Sequence, residues 1–450
     1  MKRCPECRRD YYDDSLLYCL DDGSALLDGP GSDRTPTAVL PIPDNEMPTR
    51  PFTDHAAETV RRGSSLSADD TASKASAIAI FSLRNGVVVV MALAAVAASY
   101  FYYFRTPKSA LEGSFRSVGT PAYDYYLRGK INAGSENRET NAEAIKILED
   151  VVAADPTFAP AYAELGQAYG LKADFWAPDD QKAKLYEEAK LKVEKSLALD
   201  PNLAEGHFVR GAIMWTHAGR FPHEQAALSY KRAIELDPNL AQAHHQLGVL
   251  YYHIGLFDKG EEEIKKAISL NPGDALARFR LGAIELYRTN YVRSLFILKT
   301  VPPEVNRSIV DRATANVLFA LGRTEEAAKI ADEFLATNSD EGGNVTSVKA
   351  MLLAKEGRKS EAEEAIRQAI DKGKSFQHFH HTTYNIASAY ALLGDRDEAL
   401  HWLQFTADDG FPCYPYFEKD ATLDSLRSDQ RFIEMMATMR QQWEQYDSEL

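Results

Sequence analysis

The sequence predicts an all-α chain, an α-solenoid of about eight helix pairs that follows one transmembrane helix and a small cysteine-containing head. Three observations predict it. Beyond residue 120, small and large apolar residues recur at the spacing of paired helices. Asp-Pro or Asn-Pro steps break that pattern at 155–156, 200–201, 237–238 and 271–272, each ending one helix before the next begins. Residues 86–104, GVVVVMALAAVAASYFYYF, run for nineteen positions without a charge.

The 450 residues carry a formal charge of −15, which disfavours nucleic acid as main partner, since that would want a basic stripe. Of the four cysteines, Cys4, Cys7 and Cys19 cluster near the start and Cys413 stands alone, so the C-terminal part has no disulfide framework within one chain. Clustered cysteines at metal-like spacing fit a reducing compartment for the N-terminus.

In chain order the organisation is a head at 1–28, a linker at 29–83, a membrane helix at 84–106, a short linker at 107–119, the repeat array at 120–407 and capping helices at 408–450. The head opens MKRCPECRRDYYDDSLLYCLDDGSALL. Its Cys4 and Cys7 supply one two-ligand turn, and Cys19 with Asp22 supplies a second in which a carboxylate stands for the last thiolate. YYDD and SLLY are expected to form a hairpin between them. These residues resemble small bacterial zinc-ribbon modules over about 28 positions. The resemblance implies one zinc on Cys4, Cys7 and Cys19 with Asp22 or water as the fourth ligand; a metal-free relic is the alternative. So small a unit has almost no core and needs the metal to fold.

The linker is rich in Pro, Ser, Thr and Asp and buries too little apolar surface to offset its ordering entropy. The uncharged stretch would rise about 28 Å as a helix, close to the hydrocarbon thickness of a bilayer, with an aromatic run at 100–104 suited to the headgroup level. Basic residues flank it on both sides in similar number, so charge does not orient it. The thiol cluster favours a cytoplasmic head and an extracytoplasmic array at a bacterial inner membrane.

The clearest unit of the array is AQAHHQLGVLYYHIGLFDKGEEEIKKAISLNPGD, residues 241–274. Its Leu247, Gly248, Tyr251, Gly255, Ala267 and Pro272 resemble the signature of the tetratricopeptide repeat (TPR) family. Gly260 departs from the family's usual Ala and is expected to weaken its helix. Related units carry Tyr162, Leu165 and Gly166; Gly211 with Tyr230; Leu281 and Gly282; Gly322; Gly357; and Tyr390 with Gly394. About eleven extra residues around LKADFWAPDDQ are expected to widen the loop of the second unit. No single pair buries its apolar face, so neighbours stack into a solenoid with a concave surface.

In such arrays the first helix of each pair faces the groove. The stripe beside the packing positions of the 241–274 unit carries His245, Val249, Tyr252 and His253. Transfer to neighbouring units adds Phe208, Ala212 and Trp215 on one side and Phe279, Ala283 and Tyr287 on the other. The expected partner-binding residues are therefore Phe208, Trp215, His245, Tyr252, His253, Phe279 and Tyr287. Aromatic groups of this kind suit a peptide or protein ligand, although each also fits packing against the next repeat.

No catalytic constellation is present. His223-Glu224 lacks the second histidine of a zincin because Ala227 stands there, and Gly129-Lys130 lacks the upstream glycine of a phosphate loop. Cys413 reads as a packed, unreactive thiol. His378, His380 and His381 read as a polar helix start, lacking a fourth ligand at metal-site spacing. The functional expectation is a membrane-anchored, non-catalytic scaffold or adaptor that takes protein or peptide partners in its groove. The rival is a transmembrane sensor whose solenoid detects an envelope ligand and whose head contacts a cytoplasmic regulator.

Overall fold

The computed structural model describes residues 114–450, apart from 118, 136, 218, 303, 304 and 375, together with three short strands near the start. These two parts fall in separate compact units, 1–105 and 106–450. In the first, β1 (Lys2–Arg3) pairs antiparallel with β2 (Asp10–Tyr11) on one side and with β3 (Leu27–Asp28) on the other. Tyr11, the first residue of YYDD, thus pairs with Lys2 of β1, and Asp10 before it pairs with Arg3. Cys4, Cys7, Cys19 and Asp22, and the expected membrane helix at 84–106, lie outside the described residues. Among the described residues no helix is long and apolar enough to cross a membrane.

The regular elements among the described residues of the second unit are helices, and they begin with eight consecutive pairs: α1 (Pro121–Ala133) with α2 (Arg138–Ala154), α3 (Ala159–Phe175) with α4 (Asp179–Leu199), α5 (Ala204–Met214) with α6 (His223–Leu236), and α7 (Ala241–His253) with α8 (Phe257–Leu270). There follow α9 (Ala275–Tyr287) with α10 (Tyr291–Leu298), α11 (Arg307–Ala320) with α12 (Thr324–Thr337), α13 (Asn344–Lys355) with α14 (Lys359–Gly373), and α15 (Phe379–Leu393) with α16 (Arg396–Asp408). Then come α17 (Tyr414–Lys419), a 3-10 turn (Ala421–Leu426) and α18 (Gln430–Glu449).

The sequence explains where these helices stop and how they touch. Asp155, Asp200, Asp237 and Asn271 are the C-caps of α2, α4, α6 and α8, held out of the α region by the proline that follows. The three aspartates also accept a hydrogen bond from the backbone N–H two residues on, at 3.0 Å each. Within pairs, a glycine of the first helix lies against the second. A Cβ on Gly129, Gly166, Gly211, Gly248 or Gly282 would come within 2.7–2.8 Å of Ile147, Val193, Tyr230, Ile264 or Leu298 respectively. Gly260 belongs to the same contact: its Cβ would meet the Gly248 carbonyl at 3.0 Å, and α8 runs through it unbroken. The glycine expected to weaken this helix therefore lets α7 and α8 approach. The extra residues of the second unit do not widen its loop either. They extend α3 to 17 residues and α4 to 21, leaving a connection of three, because the inserted Leu, Lys and Ala are good helix formers.

The last helices do more than close the end of the stack. The α18 terminus reaches units three and four: Lys231 Nζ and Tyr251 Oη donate to the Leu450 carbonyl at 3.1 and 3.0 Å, Lys259 Nζ donates to the Asp447 carbonyl at 2.7 Å, and Trp443 Nε1 donates to that of Gly255 at 3.2 Å.

Candidate functional site

The stripe of first-helix residues singled out from the sequence is buried throughout. Phe208, Trp215, His245, Tyr252, His253, Phe279 and Tyr287 are each less than a tenth exposed. Two of them join neighbouring helices: Phe208 lies against Tyr230 of its own pair (ring centroids 6.2 Å), and His245 Nδ1 lies 3.1 Å from Oδ2 of Asp274, the N-cap of α9. A third, Phe279, lies beneath the guanidinium of its helix neighbour Arg280 at 5.4 Å.

The other four converge, and Tyr252, His253 and Tyr287 among them meet the chain's own C-terminal segment. Phe411, Cys413 and Tyr416 are buried against them, and Phe417 is buried behind Phe411. Tyr287 stands 5.0 Å from Phe411 and 5.1 Å from Tyr416, His253 stands 5.5 Å from Phe411, and the Cys413 thiol donates to the Tyr252 carbonyl at 3.6 Å. Burial pushes that thiol far above its ordinary range, so it is unreactive, as expected. The segment continues to Asp420, which accepts a 2.6 Å hydrogen bond from the Tyr384 hydroxyl.

The loop before α6 completes this core. Phe221 has φ +46° and is buried edge-on to Trp215 (5.7 Å) and His380 (5.5 Å). A bulky side chain at positive φ is a strained conformation, held here by the packing around it. Trp215 Nε1 donates to His223 Nδ1 at 2.9 Å, and burial takes His223 down to about 3. The histidine of the failed zincin pattern is thus a packed hydrogen-bond acceptor.

At the centre lie His253, the last residue of α7, and His378, His380 and His381 at the start of α15. The polar helix start expected there is instead part of the core: His253, His380 and His381 are buried and His378 partly so. One nitrogen from each of the four rings lies within 4.8 Å of the others. His253 Nδ1 donates to the Val249 carbonyl at 2.7 Å and His380 Nδ1 to the Asp409 carbonyl at 2.7 Å. His381 Nδ1 lies 3.1 Å from the Tyr287 hydroxyl. His253 Nε2, His380 Nε2 and His378 Nδ1 are buried with no hydrogen-bond partner. Burial, reinforced by the neighbouring imidazoles and the Arg280 and Arg312 guanidinium groups, holds His253, His380 and His381 well below the ordinary histidine range and His378 at about 3. All four rings are neutral at physiological pH. His253 and Phe221 connect this cluster to the stripe; the missing fourth ligand lay 125 residues upstream of His378, where no spacing rule connects them.

Outside this core, a cleft of about 760 Å³ opens between α4 and α6, with Tyr186, Val193, Ile213, Met214 and Leu228 on its walls and Lys190 and Arg210 among its charged groups. Leu228 is more than half exposed.

Family models described as TPR repeat and tetratricopeptide repeat match residues 223–255, 241–274 and 312–375. No curated protein matches the sequence. Among solved structures, that of a Rap protein complexed with competence and sporulation factor is 13% identical, covers 72% of this chain and 97% of its own, and superposes with a TM-score of 0.53. A tetratricopeptide repeat protein from Parabacteroides merdae is 17% identical over 60% of this chain and 98% of its own, with a TM-score of 0.42. The first of these likenesses concerns the fold alone.

Proposed function

We propose, from the premise that this is a tetratricopeptide-repeat protein, that it serves as a membrane-anchored, non-catalytic scaffold for protein partners. The observation that carries the reading is the occupied stripe. The first-helix rings of units four and five hold a stretch of polypeptide, Phe411 to Tyr416, by ring packing and a thiol hydrogen bond to the Tyr252 carbonyl. That is chemistry for a peptide, with large rigid contact area and few directional demands. The chain's own segment takes this place, and the apolar cleft between α4 and α6 is a surface open to a partner.

The anchor is the uncharged stretch at 86–104, in a bacterial inner membrane, with the head on the cytoplasmic face and the array outside. For the head, the strand order supports a zinc ribbon on Cys4, Cys7, Cys19 and Asp22: in sequence β1 and β2 bracket the first cysteine pair, and β3, which pairs with β1, follows Cys19 and Asp22.

Two measurements test this. Protease access to a C-terminal epitope in spheroplasts places the array: digestion is expected, and protection moves the array to the cytoplasm. A photoreactive phenylalanine analogue at Leu228 of the full chain in its membrane is expected to give discrete polypeptide adducts that Ile213→Glu abolishes. Absence of adducts from Leu228 and from the exposed Ile131 and Val292 sinks the scaffold reading.

A further inference from the structure

We propose that His253, His378, His380 and His381 form a structural site for one divalent transition metal, zinc foremost, at the junction of units three, four and eight. The argument starts from lone pairs. A backbone carbonyl only accepts, so His253 Nδ1 and His380 Nδ1 must carry the protons they give to Val249 and Asp409. In neutral rings that leaves Nε2 of both as bare acceptors, and both are buried without a donor, as is His378 Nδ1. Each unsatisfied buried polar atom costs about 1–3 kcal/mol, and three of them on rings that bring one nitrogen each within 4.8 Å of one another call for a shared electrophile. A cation answers this; an anion would meet lone pairs.

The geometry fits a four-coordinate ion. Imidazole binds zinc at about 2.0–2.1 Å, which places ring centroids roughly 3 Å from the metal and, for a tetrahedron, roughly 5 Å from one another. The six centroid separations here run from 4.6 Å (His380–His381) to 6.2 Å (His378–His381). Ligand nitrogens up to 4.8 Å apart need to close to roughly 3.3 Å, an inward shift of up to roughly 1 Å for each. The carbonyls of Val249 and Asp409 are the outer hydrogen-bond partners that orient ligating histidines.

Donor type selects the metal. Four neutral nitrogens and no carboxylate ligand exclude calcium and magnesium, which want oxygen, and suit zinc, copper or nickel. The Arg280 and Arg312 guanidinium groups, one donating to the Tyr252 hydroxyl at 3.1 Å, oppose any ion held by charge alone. The Asp409 carboxylate, with Oδ2 3.8 Å from His380 Nδ1, gives partial compensation. With four protein ligands the site is closed and therefore structural, and the partly exposed His378 is the point of entry. Bound metal would tie the end of α7 to the start of α15 and so hold the array closed.

The test uses the full chain in detergent with Cys4→Ser, Cys7→Ser and Cys19→Ser, so that the head contributes no thiolate. After chelator treatment and reloading by dialysis, about one zinc per chain is expected to remain, with a higher thermal midpoint than in chelator. The cobalt form should show tetrahedral ligand-field bands without thiolate charge transfer. Adding His253→Gln and His380→Gln should abolish retention and the zinc-dependent shift, while the midpoint in chelator stays near that of the parent. If that pair does not fold, His378→Asn at the edge should weaken zinc at least roughly tenfold. Failure of the parent to retain zinc, undiminished retention by the histidine variants, or a six-coordinate cobalt spectrum would each overturn the proposal.

Discussion

The first two pairs and the later ones are built from the same repeat and are stabilised differently. The core of 115–169 is local: Phe115, Tyr126, Ile147, Leu148, Phe158 and Leu165 pack among helices adjacent in sequence. From Val193 onward one large apolar cluster runs to Tyr446, beside two small local ones within 331–389, and contacts in this part join residues 161 to 219 positions apart, as between Tyr252 and Cys413 or Lys231 and Leu450. A stack in which each unit touches only its neighbours behaves as a sum of local terms. The first pairs meet that description. The later units do not, because residues 409–450 return across units three to five and join them to unit eight. Repetition in sequence therefore does not fix how cooperatively an array unfolds.

The largest test of that contrast is Phe411→Ala. It removes a fully buried ring that touches His253, Tyr287, His380 and His381, so it should cost ~3–5 kcal/mol. Hydrogen exchange should quicken in α7, α9 and α15 together and stay unchanged in α1 and α2. Acceleration confined to residues near 411 would show that the later units are as local as the first. Tyr126→Ala is the counterpart. A similar loss is expected, with faster exchange limited to 115–169.

Next in size is a pH effect confined to the first pairs. Burial lifts Glu164 to about 7, even though Lys130 lies 3.3 Å away and is shared with Glu205. A carboxyl whose folded pKa is raised contributes its full stability below its unfolded value of 4.5 and loses it as pH rises through 7. The loss between pH 4.5 and 8 is on the order of 3 kcal/mol. Asp174 is raised to about 7 by burial as well and acts in the same direction, so the difference between wild type and Glu164→Gln isolates the Glu164 part. Glu164→Gln should be the more stable at pH 8 and gain little at pH 4.5, measured by urea unfolding followed by exchange in α1 and α3. An equal gain at both pH values would mean that the carboxyl is not neutralised by burial.

Much of the array was legible from sequence because its determinants repeat. The Gly-against-apolar contacts and the Asp-Pro stops recur in frame, and they give the eight pairs. The closure was not legible, because a contact such as His217 with Asp409, 192 positions apart, leaves no periodic trace. The stripe at Trp215, Tyr252, His253 and Tyr287 was found as a helical face, but helical phase does not say whether solvent, a partner or the chain's own end covers it. The histidine triplet was visible, while its fourth member joins only through that closure. Two positions hid for another reason. From unit three on, the turn after the first helix of a pair takes positive φ, and Gly255, Gly322, Gly357 and Gly394 supply it; in units three and five Phe221 (φ +46°) and Thr289 (φ +67°) stand there instead. Counting back 34 residues from Gly255 finds the first, and counting on 34 finds the second.

That shared turn gives the finest test of the comparison. A Cβ at Gly322, Gly357 or Gly394 would meet nothing within 4 Å, whereas one at Gly255 would meet Pro415 Cδ at 2.5 Å and Trp443 Cδ1 at 3.2 Å. Alanine at any of the four carries the same left-handed backbone cost, roughly 1–2 kcal/mol. Only at Gly255 does it also push against the returning segment, which should add about 1–3 kcal/mol. Thr289→Gly, which relieves a β-branched residue at positive φ, should be neutral or stabilising by about 1 kcal/mol and so calibrates the backbone part. With Pro415→Gly in the background, the excess cost of Gly255→Ala over Gly322→Ala should fall, since the atom it strikes is gone. An excess that survives this change would place the strain within the turn itself, and the α17 segment would then not be what distinguishes unit four from units six to eight.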